Sequence, residues 1–242
     1  MWCANCNRTS YSNICEVCGG KTQQDTPIEL FWCDSCHIPV IVEASDTGTH
    51  YCPICGKQIR YLAKDLRPVF PEERLLLEII QNKPFAYKNA SVWASGSRYY
   101  IDGKTSNLSI DLLKKLDANK ISIELDKYRS QNSYDYFNQN IALFVACNKD
   151  RLDAIKQEAE TFVREQVSLF PNHKPVISFS GGKDSTVVAD IVIRALSNPS
   201  IVQIFGDTTL EFPMTYEYVA RHRKQNPLAI IKTAKNKEQD FY

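Results

Sequence analysis

The sequence predicts an α/β protein: an incomplete, doubly wound parallel sheet at the C-terminus, preceded by small cysteine-rich modules and an α+β middle domain. Three observations support this fold class. After residue 175, short apolar runs alternate with helical patterns, which is typical of a parallel sheet. Eight of the nine cysteines fall within the first 55 residues. The region between these parts combines hairpin signals with amphipathic stretches.

Composition indicates a globular protein with more than one domain. Of its 242 residues, 43% are hydrophobic and 24% are charged, values that are not those of a disordered chain. No apolar run reaches the roughly 20 residues of a membrane span, and no basic segment of a signal peptide opens the chain. We therefore expect a cytoplasmic protein without a membrane partner.

The N-terminal cysteines form four Cys-x-x-Cys pairs, a pattern of metal ligands in a reducing compartment. Two residues between thiolates let both sulfurs reach one ion from a tight turn, and two such turns complete a tetrahedral site. Pairing in sequence order predicts two structural Zn²⁺ ions in two tandem zinc ribbons. The first site would use Cys3, Cys6, Cys15 and Cys18, and the second Cys33, Cys36, Cys52 and Cys55.

The metal and the role of these ribbons have alternatives. The same thiolates would suit a rubredoxin-like iron site, or they could act as a dithiol redox pair. A zinc ion with four protein ligands has no catalytic role, so the ribbons would serve as a scaffold, a protein-docking surface or a nucleic-acid module. Residues 1–60 carry four basic and six acidic groups, which makes nucleic acid the least favoured of the three.

The middle of the chain contains signals for both helices and strands. The predicted elements are a helix from Pro71, a hairpin of residues 91–94 and 98–101, an amphipathic helix at 108–116, a strand at 121–125 and a loop at 128–140. Residues such as Trp93, Arg98, Tyr99 and Tyr100 more often belong to a half-buried sheet, and the alternative is an aromatic and basic face for a base or nucleotide. Cys147, in an apolar run, is predicted to be an inert core thiol.

The strongest functional signal is Ser180–Ser185, which reads Ser-Gly-Gly-Lys-Asp-Ser. This segment follows the apolar run 176–179 and precedes a helical pattern. A second, longer helical pattern over residues 152–169 comes before the apolar run. A strand, a glycine turn and a helix start place free N–H groups and the positive end of a helix dipole together, which predicts a phosphate cradle. The spacing is not the Walker pattern. The alternative is an ordinary strand-to-helix turn.

A second buried strand at residues 201–205 is followed by Asp207 and Thr208. These residues lie where ligands bind in open α/β sheets, at the carboxyl end of a strand. Pro213 suits the first turn of the next helix, and residues 228–231 predict a third strand.

These residues resemble the PP-loop of the adenine nucleotide α-hydrolase superfamily. The segment from Asp207 to Tyr216, with its Phe212-Pro213 pair, is similar to the phosphoadenosine phosphosulfate (PAPS) reductase-like branch, which typically shows Asp-Thr-Gly and then Phe-Pro-Glu-Thr here. The resemblance covers about residues 174–232. Tandem ribbons followed by a middle module are similar to longer members of that branch.

The resemblance implies a role for each matching position. Phosphate or sulfate oxygens would be held by Ser178, Ser180, Gly181, Gly182 and Ser185. Lys183 and Asp184 would be the catalytic residues: the lysine would neutralise the anion, and the aspartate would shape the loop or help to hold Mg²⁺ when the ligand is ATP. Asp207 and Thr208 would lie near the ribose and base.

The sequence also departs from the branch. Thr209 and Met214 stand where glycine and glutamate are frequent, and only 67 residues follow Pro175, whereas a complete domain needs about five strands. The reductase cysteine and the cluster cysteines of the branch have no counterpart after Cys147. We expect the N-terminal piece of a longer protein or a truncated gene product, with an iron–sulfur cluster only if residues beyond this chain supply it.

The resemblance implies a PP-loop protein that binds ATP or PAPS and acts in sulfonucleotide reduction or sulfur transfer, as an oxidoreductase or sulfurtransferase when full length. The alternatives are an ATP-dependent, adenylating thiolation enzyme for nucleic acid and a non-catalytic zinc-ribbon binding module. Partners would be an adenine nucleotide, a protein or nucleic acid at the ribbons or middle domain, and a second copy or complementing chain. The predicted segments are 1–60 for the ribbons, 61–82 for a linker and short helix, 83–147 for the middle domain and 148–242 for the lead-in helix and PP-loop domain.

Overall fold

The computed structural model describes residues 2–3, 5–6, 8–10, 12–22, 28–43, 48–109 and 117–235. The chain divides into two compact units, Met1–Arg151 and Leu152–Tyr242. Of the helix predicted at 108–116, residues 108 and 109 instead end a strand, and residues 110–116 lie outside the described part.

The first unit is a mixed α and β structure built from short antiparallel sheets. Its strands form a two-stranded sheet β1-β2, a three-stranded sheet β4-β3-β5 and a four-stranded sheet β6-β7-β8-β9. The elements are β1 (Trp2–Cys3), β2 (Arg8–Thr9), β3 (Ile28–Cys33), β4 (Ile38–Glu43), β5 (Arg60–Ala63), β6 (Arg67–Pro68), α1 (Pro71–Ile80), β7 (Val92–Ser95), β8 (Arg98–Ile101), β9 (Lys104–Ser109), α2 (Ala118–Arg129) and α3 (Asp135–Cys147). The predicted helix from Pro71 and the predicted hairpin, now β7 and β8, are confirmed.

The strand predicted at residues 121–125 is wrong, because these residues lie inside helix α2. Ile121, Ile123 and Leu125 alternate as in a strand, but Ile121 and Leu125 are also four residues apart and share one face of a helix. Asp117 starts the helix, since its carboxylate accepts hydrogen bonds from the backbone N–H groups of Asn119 and Lys120. Ile123 is left 63% exposed, which a strand buried on one face would not allow.

The loop predicted at residues 128–140 is confirmed only at residues 130–134, which lie between two helices. Its first residues end α2, and its last six form the start of α3. The Ser133 hydroxyl accepts a hydrogen bond from the backbone N–H of Asp135 at 3.1 Å, which fixes the turn before α3. Most of this polar, tyrosine-rich segment therefore belongs to the end of α2 and the start of α3, with a short turn between them.

The second cysteine module packs directly against α3. The side chain of Asn148, next after α3, accepts a hydrogen bond from the N–H of Ile41 (2.7 Å) and donates one to the carbonyl of Pro39 (3.1 Å). On the other side of this module, the ring of Trp32 occupies the position that a Cβ atom at Gly103 would need, 2.3 Å away. Strands β3 and β4 thus share a core with α3, to which Leu143, Phe144 and Cys147 contribute.

The second unit contains a parallel sheet of three strands in the order β10-β11-β12. Helix α4 (Lys149–Ser168) begins in the first unit and continues into this one, and it confirms the predicted lead-in helix. The further elements are β10 (Val176–Ser178), α5 (Lys183–Leu196), β11 (Val202–Asp207), α6 (Pro213–Gln225) and β12 (Ile230–Lys235). The third strand thus begins two residues later than predicted and runs four residues further.

Two apolar clusters join the sheet of the second unit to its helices. Ile177 and Ile201 pack with Ala189 of α5, while Phe179 and Phe205 pack with Val219 of α6. Because Ile177 and Phe179 are two residues apart on one chain, both helices cover the same face of the sheet. This arrangement is consistent with an incomplete PP-loop domain. None of the helices in the described residues combines the length and apolar character that a membrane crossing requires.

Candidate functional site

The eight N-terminal cysteines form two clusters, paired in the order that the sequence predicts. Within each cluster, the four Sγ atoms lie within 4.8 Å of one another. In the first, Cys3 and Cys18 are 3.4 Å apart and Cys6 and Cys15 are 3.8 Å apart. A tetrahedron with Zn–S bonds of 2.3 Å has sulfur–sulfur edges of about 3.8 Å, so the clusters have the size of a four-thiolate metal site.

In the second cluster, Cys33 and Cys55 are 3.5 Å apart and Cys36 and Cys52 are 3.8 Å apart. The backbone N–H of Cys36 donates to the sulfur of Cys33 at 3.4 Å, an orientation that favours a thiolate there. The residues present therefore fit a bound metal ion at both clusters.

Cys147 is a fifth thiol beside the second cluster. Its sulfur lies 3.9 Å from that of Cys52, and it is buried in the apolar core around Ile38 and Val40. Burial raises the pKa of the Cys147 thiol to about 12, so the thiol stays neutral and packs as an apolar group.

The candidate phosphate loop is the turn between β10 and α5. Gly181 has φ = +75°, a left-handed conformation that glycine adopts without strain. Gly182 is the N-cap of α5 with extended backbone and no side-chain cap, and its carbonyl accepts the first hydrogen bond of the helix from Thr186 N–H at 3.1 Å. The N–H groups of the first helical turn, Lys183 to Ser185, thus have no carbonyl partner within the helix.

Hydroxyl groups of the loop are bonded to one another. Ser180 Oγ and Ser185 Oγ are 3.1 Å apart, and the backbone N–H of Ser180 donates to Ser185 Oγ at 3.2 Å. Ser185 Oγ also donates to the carbonyl of Gly182 at 3.0 Å. Since hydroxyl protons rotate freely, both serines can redirect a donor toward an anion without moving the backbone.

Three other predicted residues of the loop are Lys183, Asp184 and Ser178, and their positions differ from one another. The side chains of Lys183 and Asp184 are exposed in the first turn of α5. Ser178 ends β10 on the face of the sheet opposite to buried Ile177 and Phe179, and within the described residues the hydrogen bonds of the loop do not include its hydroxyl.

Asp207 ends β11, at the same edge of the sheet as the loop. Its carboxylate accepts hydrogen bonds from the hydroxyl of Tyr216 (2.6 Å) and the N–H of Thr209 (2.9 Å). The Tyr216 hydroxyl, followed by the Thr209 amide, holds the pKa of Asp207 below its ordinary value, and the same bond raises the pKa of Tyr216 to about 12. Thr208 donates instead to Glu211 at 3.0 Å.

Thr209 has φ = +67°, a conformation that is strained for a β-branched residue. The sequence resemblance places glycine at this position, and the backbone explains why glycine is suited to it. In this strained conformation the backbone N–H of Thr209 donates a hydrogen bond to the Asp207 carboxylate.

Sequence reasoning missed the residues of α6 that contact the loop. A Cβ atom at Gly181 would lie 3.0 Å from Cγ2 of Val219 and 3.2 Å from Cγ2 of Thr215. The hydroxyl of Tyr218 lies 2.9 Å from that of Thr186, just after the loop. The signal was present, because Thr215, Tyr218 and Val219 are spaced by three and four residues on one helix face.

Of the two interpretations of the aromatic residues in the middle region, the structure supports the sheet and contradicts the binding face. Trp93, Tyr99 and Tyr100 are at most 7% exposed, and only Arg98 of the four is exposed. The indole of Trp93 donates to Ser91 Oγ at 2.8 Å, and the hydroxyl of Tyr99 donates to Glu73 at 2.7 Å. Both polar groups are thus used inside the fold, and the rings belong to its core.

Comparison with known proteins gives one family and one relative. Residues 174–241 match the family described as phosphoadenosine phosphosulfate reductase domain. A curated relative, an uncharacterized protein of Methanocaldococcus jannaschii, is 31% identical over 108 residues, which are 44% of this chain and 22% of the relative. The aligned part therefore spans about a fifth of that relative's length. No solved structure matches the chain.

The family match begins two residues before β10 and includes the loop, α5, β11, α6 and β12. It thus covers every element that carries the two motifs on which the sequence resemblance was based. Residues 174–241 match the phosphoadenosine phosphosulfate reductase domain family of the PP-loop superfamily, and two four-cysteine clusters of zinc-ribbon type precede them.

Proposed function

We propose that the second unit binds an adenine nucleotide, ATP or PAPS, through its phosphate or sulfate groups at Ser180–Ser185. The observation that carries this proposal is the geometry at Gly181 and Gly182. One glycine turns the chain through a left-handed conformation, and the other leaves the start of a 14-residue helix without a side-chain cap. An anion is the natural cap for such a helix start.

The proposed site lies at the carboxyl ends of two strands, with the anionic groups of the ligand after β10 and its ribose and base after β11. Loop amides and the hydroxyls of Ser180 and Ser185 would hold the anionic oxygens, while Lys183 would neutralise charge from the first helical turn. Asp207 would accept hydrogen bonds from the ribose or base at the end of β11, since its carboxylate is ionised and held in place by Tyr216. Asp184 would help to hold Mg²⁺ when ATP is bound.

We propose that this site serves sulfonucleotide reduction or sulfur transfer. The family match supports that chemistry, and the adenylating thiolation of a nucleic acid is the second reaction that the same site suits. The two differ in the nucleotide: reduction uses PAPS, whereas adenylation uses ATP and releases pyrophosphate.

Calorimetric titration of the metal-loaded chain with ATP plus Mg²⁺ and with PAPS tests the proposal. Binding of either nucleotide that is lost in Lys183→Ala supports the site, and the preferred nucleotide selects the reaction class. Lys174→Ala, a change of the same kind in an exposed residue outside the loop, is the control and should bind normally. A folded protein that binds neither nucleotide would contradict the proposal.

We further propose that both cysteine clusters hold Zn²⁺ in a structural role. The four-thiolate geometry supports metal binding, and within the described residues each cluster consists of four cysteines, which suits a closed site. Elemental analysis should give two zinc ions per chain. A visible charge-transfer band of iron–thiolate, or far less than two metal ions, would overturn the assignment.

A further inference from the structure

The hydroxyl groups of Tyr218 and Thr186 form a short chain that ends on the phosphate loop. Thr186 Oγ1 donates to the carbonyl of Gly182 at 2.8 Å. A threonine hydroxyl has one proton, so the contact of 2.9 Å between Thr186 and Tyr218 must be donated by the tyrosine. The direction is therefore Tyr218 O–H to Thr186 O–H to Gly182 C=O, in which each bond polarises the next.

The Tyr218 ring is itself fixed on several sides. It packs against the core of Phe179, Phe205 and Val219. It also stacks on His222 with an interplanar angle of 21°, and the guanidinium of Arg221 lies 5.2 Å from its centroid. A ring held in this way presents its hydroxyl at one position.

The same helix contacts the loop at a second point. Val219 and Thr215 lie against Gly181, so close that no Cβ atom fits there without displacement. Helix α6 therefore supports the loop at two points. Val219 and Thr215 contact its turn at Gly181, and Tyr218 acts through Thr186 on the helix cap at Gly182.

We propose that Tyr218 is a positioning residue for anion binding: it acts through Thr186 to hold Gly182, and hence the N–H groups of the first turn of α5, in the binding arrangement. Tyr218 does not itself contact the anion in this proposal. The inference rests on the proposed function for the ligand, but the support of the loop by α6 can be measured without any ligand.

The first experiment compares the binding of pyrophosphate and adenosine by calorimetry, using the full chain. Tyr218→Phe should lower the affinity for pyrophosphate by about 3- to 10-fold, the range expected for one net hydrogen bond. The affinity for adenosine, which has no phosphate, should stay unchanged. Tyr134→Phe, which removes a tyrosine hydroxyl bonded to Glu72 in the first unit, is the matched control and should alter neither.

Variants of Thr186 test whether the two hydroxyls act in series. Thr186→Val should lower pyrophosphate affinity at least as much as Tyr218→Phe, and combining both changes should add little to it. Thr186→Ser keeps the hydroxyl and should restore most of the affinity. Additive losses in the double variant, or an equal loss of pyrophosphate and adenosine binding, would overturn the proposal.

Hydrogen exchange of the ligand-free protein separates this inference from the proposed function. Tyr218→Phe should speed exchange at the two hydrogen-bonded amides of the helix start more than elsewhere in the second unit; these are Gly182, which donates to Ser180 Oγ at 3.3 Å, and Thr186, which donates to the Gly182 carbonyl at 3.1 Å. If the wild-type chain binds no pyrophosphate but shows this local effect, the proposed function fails and the support of the loop stands. Unchanged exchange at these amides would refute the role of Tyr218 even if the nucleotide binds.

Discussion

The two adjacent glycines of the loop offer a sharp test, because their surroundings differ. Gly181→Ala places a Cβ atom 3.0 Å from Val219 and 3.2 Å from Thr215 on a backbone with φ = +75°. Gly182→Ala places one only 3.3 Å from the flexible hydroxyl of Ser180, on a backbone with φ = −85°. The second change is thus a matched control for the first.

The expected cost follows from these contacts. An alanine in the left-handed region costs roughly 1–2 kcal/mol relative to glycine. The close approach to Val219 and Thr215 adds about 1 kcal/mol, the lower end of the overpacking range, because both contacts are shorter than optimal by only a few tenths of an ångström. The sum, about 2–3 kcal/mol, corresponds to an affinity for the anion that is lower by about 30- to 150-fold if binding requires the loop conformation.

Titration with pyrophosphate measures this loss, and thermal unfolding shows whether the variants remain folded. Gly181→Ala should bind at least 30-fold more weakly than the wild type, by the estimate of about 2 kcal/mol above. Gly182→Ala, which keeps its N–H, should bind within about 3-fold of it, since only one flexible contact changes. Equal affinities for the two alanine variants would show that the left-handed turn and its contact with α6 do not shape the site.

Three further outcomes are expected. Thr209→Gly should leave stability unchanged or raise it by up to about 1 kcal/mol, because it relieves the strain of φ = +67° at the cost of chain entropy, as urea unfolding would show; a clear destabilisation would mean that the threonine side chain stabilises the fold. Burial lowers the pKa of His222, so its unfolded form binds more protons and stability should fall as pH drops below about 6.5. His222→Gln should flatten that pH dependence in thermal unfolding, whereas the same change at exposed His173 should not. Chelation of the metal should change the fluorescence of Trp32, which is buried beside the second cluster, and an unaltered spectrum after verified metal removal would argue against a structural metal.

Local chemistry made the cysteine clusters and the loop predictable. A Cys-x-x-Cys turn and a strand–glycine–helix sequence each determine their geometry within a few residues, so the ligand pairing and the position of α5 followed from spacing alone. The parallel sheet was predictable for the same reason, since β10 and β11 each follow or contain a short apolar run and are each followed by their own helix.

The wrong predictions concern segments whose secondary structure depends on tertiary packing and not on local sequence alone. Residues 121–125 fit both the strand period and the helix period, and the capping carboxylate of Asp117, eight residues after the end of β9, starts a helix there. The aromatic cluster at residues 93–100 left two interpretations open, a half-buried sheet and a binding face, because its burial depends on elements that a single sequence does not place. Tyr218 was unnoticed because its partner, Thr186, is 32 positions away.

The contact between Asn148 and β4 has a consequence for the order of folding. Cys33 to Cys55 can gather around a metal as soon as that short segment is made, whereas Asn148 bonds to Ile41 across 107 residues and Cys147 reaches Cys52 across 95. At about 5–20 residues per second, a ribosome needs about 5–20 s to synthesise those intervening residues. During this interval the apolar side chains of the second cysteine module that pack on α3, including Ile38 and Val40, lack this contact. A metal bound to the four cysteines would then hold β3 and β4 in their native pairing until α3 has been synthesised and packs against them.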